Sequence, residues 1–198
     1  QHQLNSRGQI RMIVLKARQI GISTIIEAII FSLSMVLSSL KSLIISHEDK
    51  SSTHILGMTR LYWKTYVFNR YYHTVYNGKN HLSWDNDADI HIATAKNVDA
   101  GRSTTLHALH ASEVAFWPDP DTLMTGLMNA IPSFGLNVIF LESTANGVGN
   151  YFHKEYNAAM RGTSEYEDVF YPWFNDPEYT SAYITESNRA LYSIRSVD

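Results

Sequence analysis

The stretch IRMIVLKARQIGIST, Ile10 to Thr24, decides how the rest of the chain is read. Its first half, Ile10–Lys16, is a short apolar run rich in branched residues, the pattern of a strand buried on both faces of a parallel sheet. A tight polar turn, Ala17–Gly21, follows, and an apolar pattern then runs from Ile22 to Leu40. That length exceeds any ordinary strand and predicts a helix. Glu27, Thr24 and five serines interrupt it, so a buried helix fits and a membrane span does not. A strand that turns through a glycine into a helix is the setting of a phosphate-binding loop. Backbone N–H groups converge there on an anion, and the helix start adds positive potential.

Outward from this unit, Ser42–Ser46 is a second buried strand, and His47-Glu48-Asp49 opens a helix continued by Ile55, Tyr62 and Tyr66. Asn77-Gly78 is a turn signal, with short strands expected at His81–Trp84 and Ile90–Ala95. Thr105–Ala111 reads as a strand ending at Ser112-Glu113, Asp121–Ile131 as a helix, and Leu136–Leu141 as a third strongly apolar strand. Asn146-Gly147 marks a loop, Tyr151–Met160 a helix, Val169–Trp173 an extended segment, and Asp176-Pro177 a last helix start. Strands alternating with helices give an α/β domain with a mainly parallel central sheet flanked by helices. Such sheets bind ligands beyond the carboxyl ends of their strands.

Composition narrows the function. The chain has 198 residues, 44% of them hydrophobic and 18% charged, enough apolar content for a real core and too much for disorder. Sixteen basic against nineteen acidic residues leave a net charge of −3, so any nucleic-acid contact must come from a local patch. There is no cysteine, which excludes disulfides, thiol catalysis and cysteine metal sites.

The usual phosphate-loop pattern is G-x-x-x-x-G-K-[ST]. Aligned on it, Lys16 stands at the first Gly, Gly21 and Ser23 fit, and Ile22 replaces the lysine. On spacing alone the match fails, and the segment reads as an ordinary strand-to-helix turn with a glycine. The chemical groups are nevertheless present in redistributed form. Lys16 reaches the ligand from the mouth of the loop, Arg18 adds a second cation, and Ser23 offers a hydroxyl to magnesium. Glu113, at the end of a strand, is placed to accept a proton from an attacking water. His107 and His110 are three apart on a strand and point to opposite faces, so they do not share a metal ion. Asp85, Asp87 and Asp89 lack the Gly and Glu of a calcium loop and read as a solvated acidic turn.

Here the sequence becomes recognisable. KARQIGIST (Lys16–Thr24) resembles the variant Walker A loop of large terminase subunits, the DNA-packaging motors of tailed bacteriophages, where the lysine often moves to the start of the loop and an Arg-Gln pair precedes the glycine. LHALHASEVAFW (Leu106–Trp117) is similar to the family's Walker B region, and LESTANG (Leu141–Gly147) to its coupling motif. VFYPWFNDPEY (Val169–Tyr179) resembles the segment that leaves the family's ATPase core.

The resemblance implies a P-loop NTPase fold of the RecA-like, additional-strand catalytic-glutamate class over residues 1–180, with 181–198 a C-terminal helix or linker towards a nuclease domain that this chain does not contain. It implies ATP as substrate and Mg2+ as its ion, with Lys16, Ala17, Arg18, Gln19, Ile20, Gly21, Ile22, Ser23 and Thr24 forming the nucleotide loop. Glu113 becomes the catalytic base, and Arg102 an arginine finger acting on a neighbour's nucleotide, with Arg18 the alternative in cis. Ser143, Thr144 and Asn146 become the coupling residues that sense the γ-phosphate. Ser112 stands where the usual P-loop pattern carries an Asp, which leaves Ser23 as the better magnesium ligand and Ser112 as a second. The implied partners are double-stranded DNA, a small terminase subunit, the portal protein and further copies of the chain in a ring, with no membrane. The implied place is the cytoplasm of an infected or lysogenic bacterial host, transiently on the procapsid portal, and not a secreted one. Two other readings remain: a helicase-like P-loop ATPase, and a non-catalytic DNA-binding or assembly module with a degenerate nucleotide site.

Overall fold

A computed structural model describes residues 8–101 and 104–175. Its elements run β1 (Gln9–Lys16), α1 (Ile22–Val36), β2 (Lys41–Ser46), α2 (Asp49–Thr65), β3 (Thr74–Gly78), β4 (His81–Trp84), β5 (Asp89–Thr94), β6 (Ala108–Ser112), α3 (Pro120–Ala130), β7 (Asn137–Ser143), α4 (Tyr151–Met160) and β8 (Glu167–Tyr171). The eight strands form one sheet in the order β3-β4-β5-β2-β6-β7-β1-β8. From β5 to β8 every pairing is parallel, and β4 and β3 extend the edge as an antiparallel pair. The α/β class and mainly parallel sheet expected from the alternation of elements are therefore found.

Strand alternation splits the core into two layers. Ile13, Leu43, Ile45, Leu109, Ala111, Ile139 and Leu141 face one side, against Leu123 and Leu127 of α3 and Phe152 and Tyr156 of α4. Val14, Ile44, Ala108, Val138 and Phe140 face the other, against Ile22, Ile26, Ile30 and Phe31 of α1 and Ile55 and Leu56 of α2. The central strands read as continuous apolar runs because both faces are covered. Among the described residues no helix is long and apolar enough to cross a membrane.

The boundaries differ from the sequence reading where local chemistry intervenes. Helix α1 ends at Val36 rather than Leu40, because Leu37 is extended and Ser39 turns the chain with φ 61°. Asn77 and Gly78 close strand β3 instead of forming the turn, which falls on Lys79 and Asn80. Strand β6 starts at Ala108 and includes Ser112, and β8 lies at Glu167–Tyr171, two residues before the expected segment. Strand β7 runs two residues past Leu141 and takes in Glu142 and Ser143, where the motif reading places a loop. The helix start expected at Asp176-Pro177 lies outside the described residues.

One chain of buried polar contacts crosses the α1-facing layer. Glu27, on the inner face of α1, accepts from the Thr59 hydroxyl of α2 at 2.7 Å and meets His110 Nδ1 of β6 at 2.6 Å. His110 Nε2 lies 3.1 Å from Oε1 of Glu142 on β7. All four side chains are buried. With a carboxylate at each ring nitrogen, His110 is held as the imidazolium. Burial opposes that charge, but the hydrogen bonds and fields of Glu142 and Glu27 outweigh it and raise its pKa. Removing one partner of such a pair strands the other charge away from water. Glu27→Ala is expected to cost about 3 kcal/mol of folding stability, read by chemical denaturation at neutral pH. A loss below about 1 kcal/mol would mean that His110 is neutral in the folded chain.

Candidate active site

Strands β1, β2, β6 and β7 are mutually parallel, so their carboxyl ends, Lys16, Ser46, Ser112 and Ser143, lie along one edge of the sheet. Two adjoining clefts of about 450 and 390 Å3 open there, and both are lined by Lys16, Gln19, Ser51 and Glu113. That size suits a nucleotide-sized ligand.

The β1–α1 turn builds the floor. Gln19 and Gly21 both adopt left-handed backbone, φ 58° and 76°, and Gly21 is the N-cap of α1 with no side chain capping it. Glycine suits that conformation. The uncapped first turn points its N–H groups out of the helix, which is the arrangement that holds an anion. Gln19, Ile20, Gly21, Ile22, Ser23 and Thr24 all line the larger cleft, and Arg18 lines the smaller one. Ala17 is the exception, since its N–H donates to the Tyr171 carbonyl of β8 at 3.0 Å. Ile22, at the place of the usual lysine, is buried and packs into the core.

Lys16 occupies the junction of the two clefts. Its Nζ lies 3.1 Å from Glu113 Oε1 and 3.5 Å from Glu142 Oε2, and its side chain is only 8% exposed. The relocated cation thus points into the cleft, between two carboxylates. Glu113 follows β6 and is held in left-handed backbone, φ 55°, as the chain enters a short 3-10 turn, Val114–Phe116. For a residue with a side chain this costs about 1 kcal/mol and persists only where the surroundings impose it. Those surroundings are the β7 loop. Thr144 donates to Glu113 Oε2 through its backbone N–H at 3.2 Å and its hydroxyl at 3.1 Å, and the Ser143 hydroxyl lies at 3.4 Å. The Ala115 N–H donates to Ser143 Oγ at 3.2 Å, and the Asn146 amide donates to the Ala115 carbonyl at 2.9 Å. Ser143, Thr144 and Asn146 therefore grip the turn that carries Glu113.

Ser23 and Ser112 meet at Glu142, the second residue of LESTANG, to which the motif reading gives no role. Both hydroxyls donate to Oε1 of Glu142, at 2.6 and 2.9 Å, beside the contact from His110. Burial opposes ionisation of Glu142, but His110, Lys16 and Ser23 outweigh it and hold its pKa below the usual carboxylate range. Ser51, Lys50 and His54 of α2, and His47 ahead of it, also line the clefts. Their sequence signal is topological, because they follow the carboxyl end of β2, where parallel sheets gather ligand contacts. Arg102 lies outside the described residues. His107 accepts from the Lys41 N–H while His110 faces Glu27, so the two share no site. Asp85 pairs with His73 and Asp89 with Lys41, and Asp89 lies not with Asp85 and Asp87 but with His81 and His91, whose ligand atoms fall within 4.8 Å of one another.

No protein-family profile matches the chain, and no curated protein matches it. Solved structures do. The large terminase from a thermophilic bacteriophage aligns with a TM-score of 0.64 at 12% identity, over 96% of this chain and 45% of its own. This chain thus spans under half of that protein, which has also been solved in complex with ADP and with ATP-gamma-S. The large terminase ATPase domain of Thermus phage P74-26 aligns with a TM-score of 0.55 at 16% identity, over 96% of this chain and 82% of its own. The N-terminal domain of the DNA packaging ATPase from bacteriophage phi29 aligns with a TM-score of 0.54 at 13% identity, over 79% of this chain and 83% of its own. By its strand order, its covered parallel sheet and these alignments, the chain has the fold of the large terminase ATPase domains of phages.

Proposed function

We propose that this chain is the ATPase domain of a viral DNA-packaging motor, hydrolysing ATP to drive double-stranded DNA into a procapsid. The observation that carries the proposal is the meeting of Lys16, Ser23 and Glu113 at one cleft, each on a different element of the sheet edge. Strand β7 lies between β1, which leads into the loop, and β6, which leads to Glu113. That insertion supports the additional-strand catalytic-glutamate class of RecA-like P-loop NTPases. Structures of similar fold that carry ADP and ATP-gamma-S support a nucleotide as the ligand.

The residues imply a sequence of events. An incoming triphosphate competes with Glu113 and Glu142 for Lys16, while the N–H groups of the loop and Arg18 take up the remaining phosphate charge. Glu113 loses one partner and keeps its hold on Thr144. It then accepts a proton from a water whose oxygen attacks the γ-phosphorus as the bond to the ADP oxygen breaks. Ser23 fits a magnesium ion, because its hydrogen is committed to Glu142 and its lone pairs remain available. Magnesium held there would neutralise negative charge as it develops on the phosphates. Arg102, read as the finger of a neighbouring subunit, supplies positive charge in trans within a ring. DNA, a small recognition subunit and the portal are the partners of such a motor, which acts in the host cytoplasm.

Three measurements test this reading. Lys16→Ala should weaken binding of ATP-gamma-S by about tenfold or more in a calorimetric titration, since it removes the cation between two carboxylates. Equal affinity of variant and wild type would favour a degenerate site. Glu113→Gln should bind the nucleotide like wild type and lose about a hundredfold or more in turnover. Retained steady-state hydrolysis removes Glu113 from the base role. Arg102→Ala should lower turnover only in assembled rings, and equal rates of variant and wild-type rings would assign the finger elsewhere.

A further inference from the structure

A phosphate-loop ATPase needs a carboxylate beside the loop hydroxyl to hold its magnesium, and this chain has Ser112 at the strand position where one is expected. The register of the sheet supplies it from the next strand. Ser112 of β6 and Glu142 of β7 are direct Cα partners. Alternation along β7 turns Glu142 to the α1 layer, with Val138 and Phe140, so its carboxylate arrives beside the start of α1.

The two oxygens of that carboxylate are used unequally. Oε1 is saturated by Ser23, Ser112 and His110. Oε2 is buried and has no hydrogen-bond partner among the described residues, facing only the Lys16 ammonium at 3.5 Å. Glu142 as a whole is 0% exposed. A buried anionic oxygen without a hydrogen bond is costly, and in a native fold it calls for an ionic or hydrogen-bonding partner. When Lys16 turns to a phosphate, the one cation that faces Oε2 among the described residues leaves with it. A buried structural ion pair would instead be saturated on both oxygens.

We infer that Glu142 is the carboxylate that holds the magnesium ion at this nucleotide site, through Oε2, while Ser23, Ser112 and His110 fix its orientation through Oε1. The inference rests on the nucleotide-binding reading above. It reassigns Ser112 from the metal to the carboxylate: Ser112 positions Glu142. Glu27, bonded to the far nitrogen of His110, continues the same support into α1.

The test compares affinity for ATP-gamma-S with magnesium and with EDTA in wild type, Glu142→Gln and Ser112→Ala. Glu142→Gln is expected to lower the gain from magnesium by about tenfold or more while leaving metal-free binding at least as tight. Ser112→Ala should keep most of the gain. A full magnesium gain in Glu142→Gln overturns the inference and leaves the nucleotide site standing, whereas a wild-type chain that binds no nucleotide overturns both. A second measurement does not depend on how Glu142→Gln folds. In a Glu113→Gln chain labelled with 13C at glutamate carboxyls, Mn2+ bound with ATP-gamma-S should show a carboxyl hyperfine coupling by electron–nuclear double resonance. Its absence excludes Glu142 from the ion's surroundings.

Discussion

The site is organised by the sharing of buried positive charge. Glu27, Glu113 and Glu142 converge on one end of the sheet, and within the described contacts Lys16 and the His110 imidazolium are what answer them. Each cation is shared between two acids, Lys16 between Glu113 and Glu142, His110 between Glu142 and Glu27. Charges this deeply withdrawn from water are tolerated only when paired. The pairing therefore fixes where strands β1, β6 and β7 and helix α1 must sit relative to one another, since each contributes one member.

Much of this is legible in the sequence, for reasons that differ from element to element. The strand-turn-helix of Ile10–Thr24 announces itself because a doubly buried strand is a continuous apolar run and a helix of that length cannot be a strand. Glu113 is legible from its place at the end of such a strand. The displaced lysine is legible because Lys16 closes the apolar run at the mouth of the turn, where its long side chain reaches across the loop.

Glu142 is not legible, and the cause is specific. Motif reading ends β7 at Leu141 and assigns the following residues to a loop, whereas the strand continues through Ser143. Its role further depends on register with Ser112, thirty residues earlier, and register is a property of the sheet rather than of either segment. His110 and Glu27 are hidden likewise, since each becomes meaningful only against a partner on another element. The exposed strand β3 escapes because its residues bear no buried face to set a period, and its Asn-Gly pair imitates a turn.

The grip of the 144–146 segment on Glu113 has a mechanical meaning. Thr144 clasps the carboxylate and Asn146 the backbone two residues beyond it, so Glu113 and that segment are one linkage. A linkage of this kind behaves as a clutch. On the motor reading proposed above, strain fed back from a stalled load would swing Glu113 out of alignment, and fuel consumption would throttle itself without any dedicated brake.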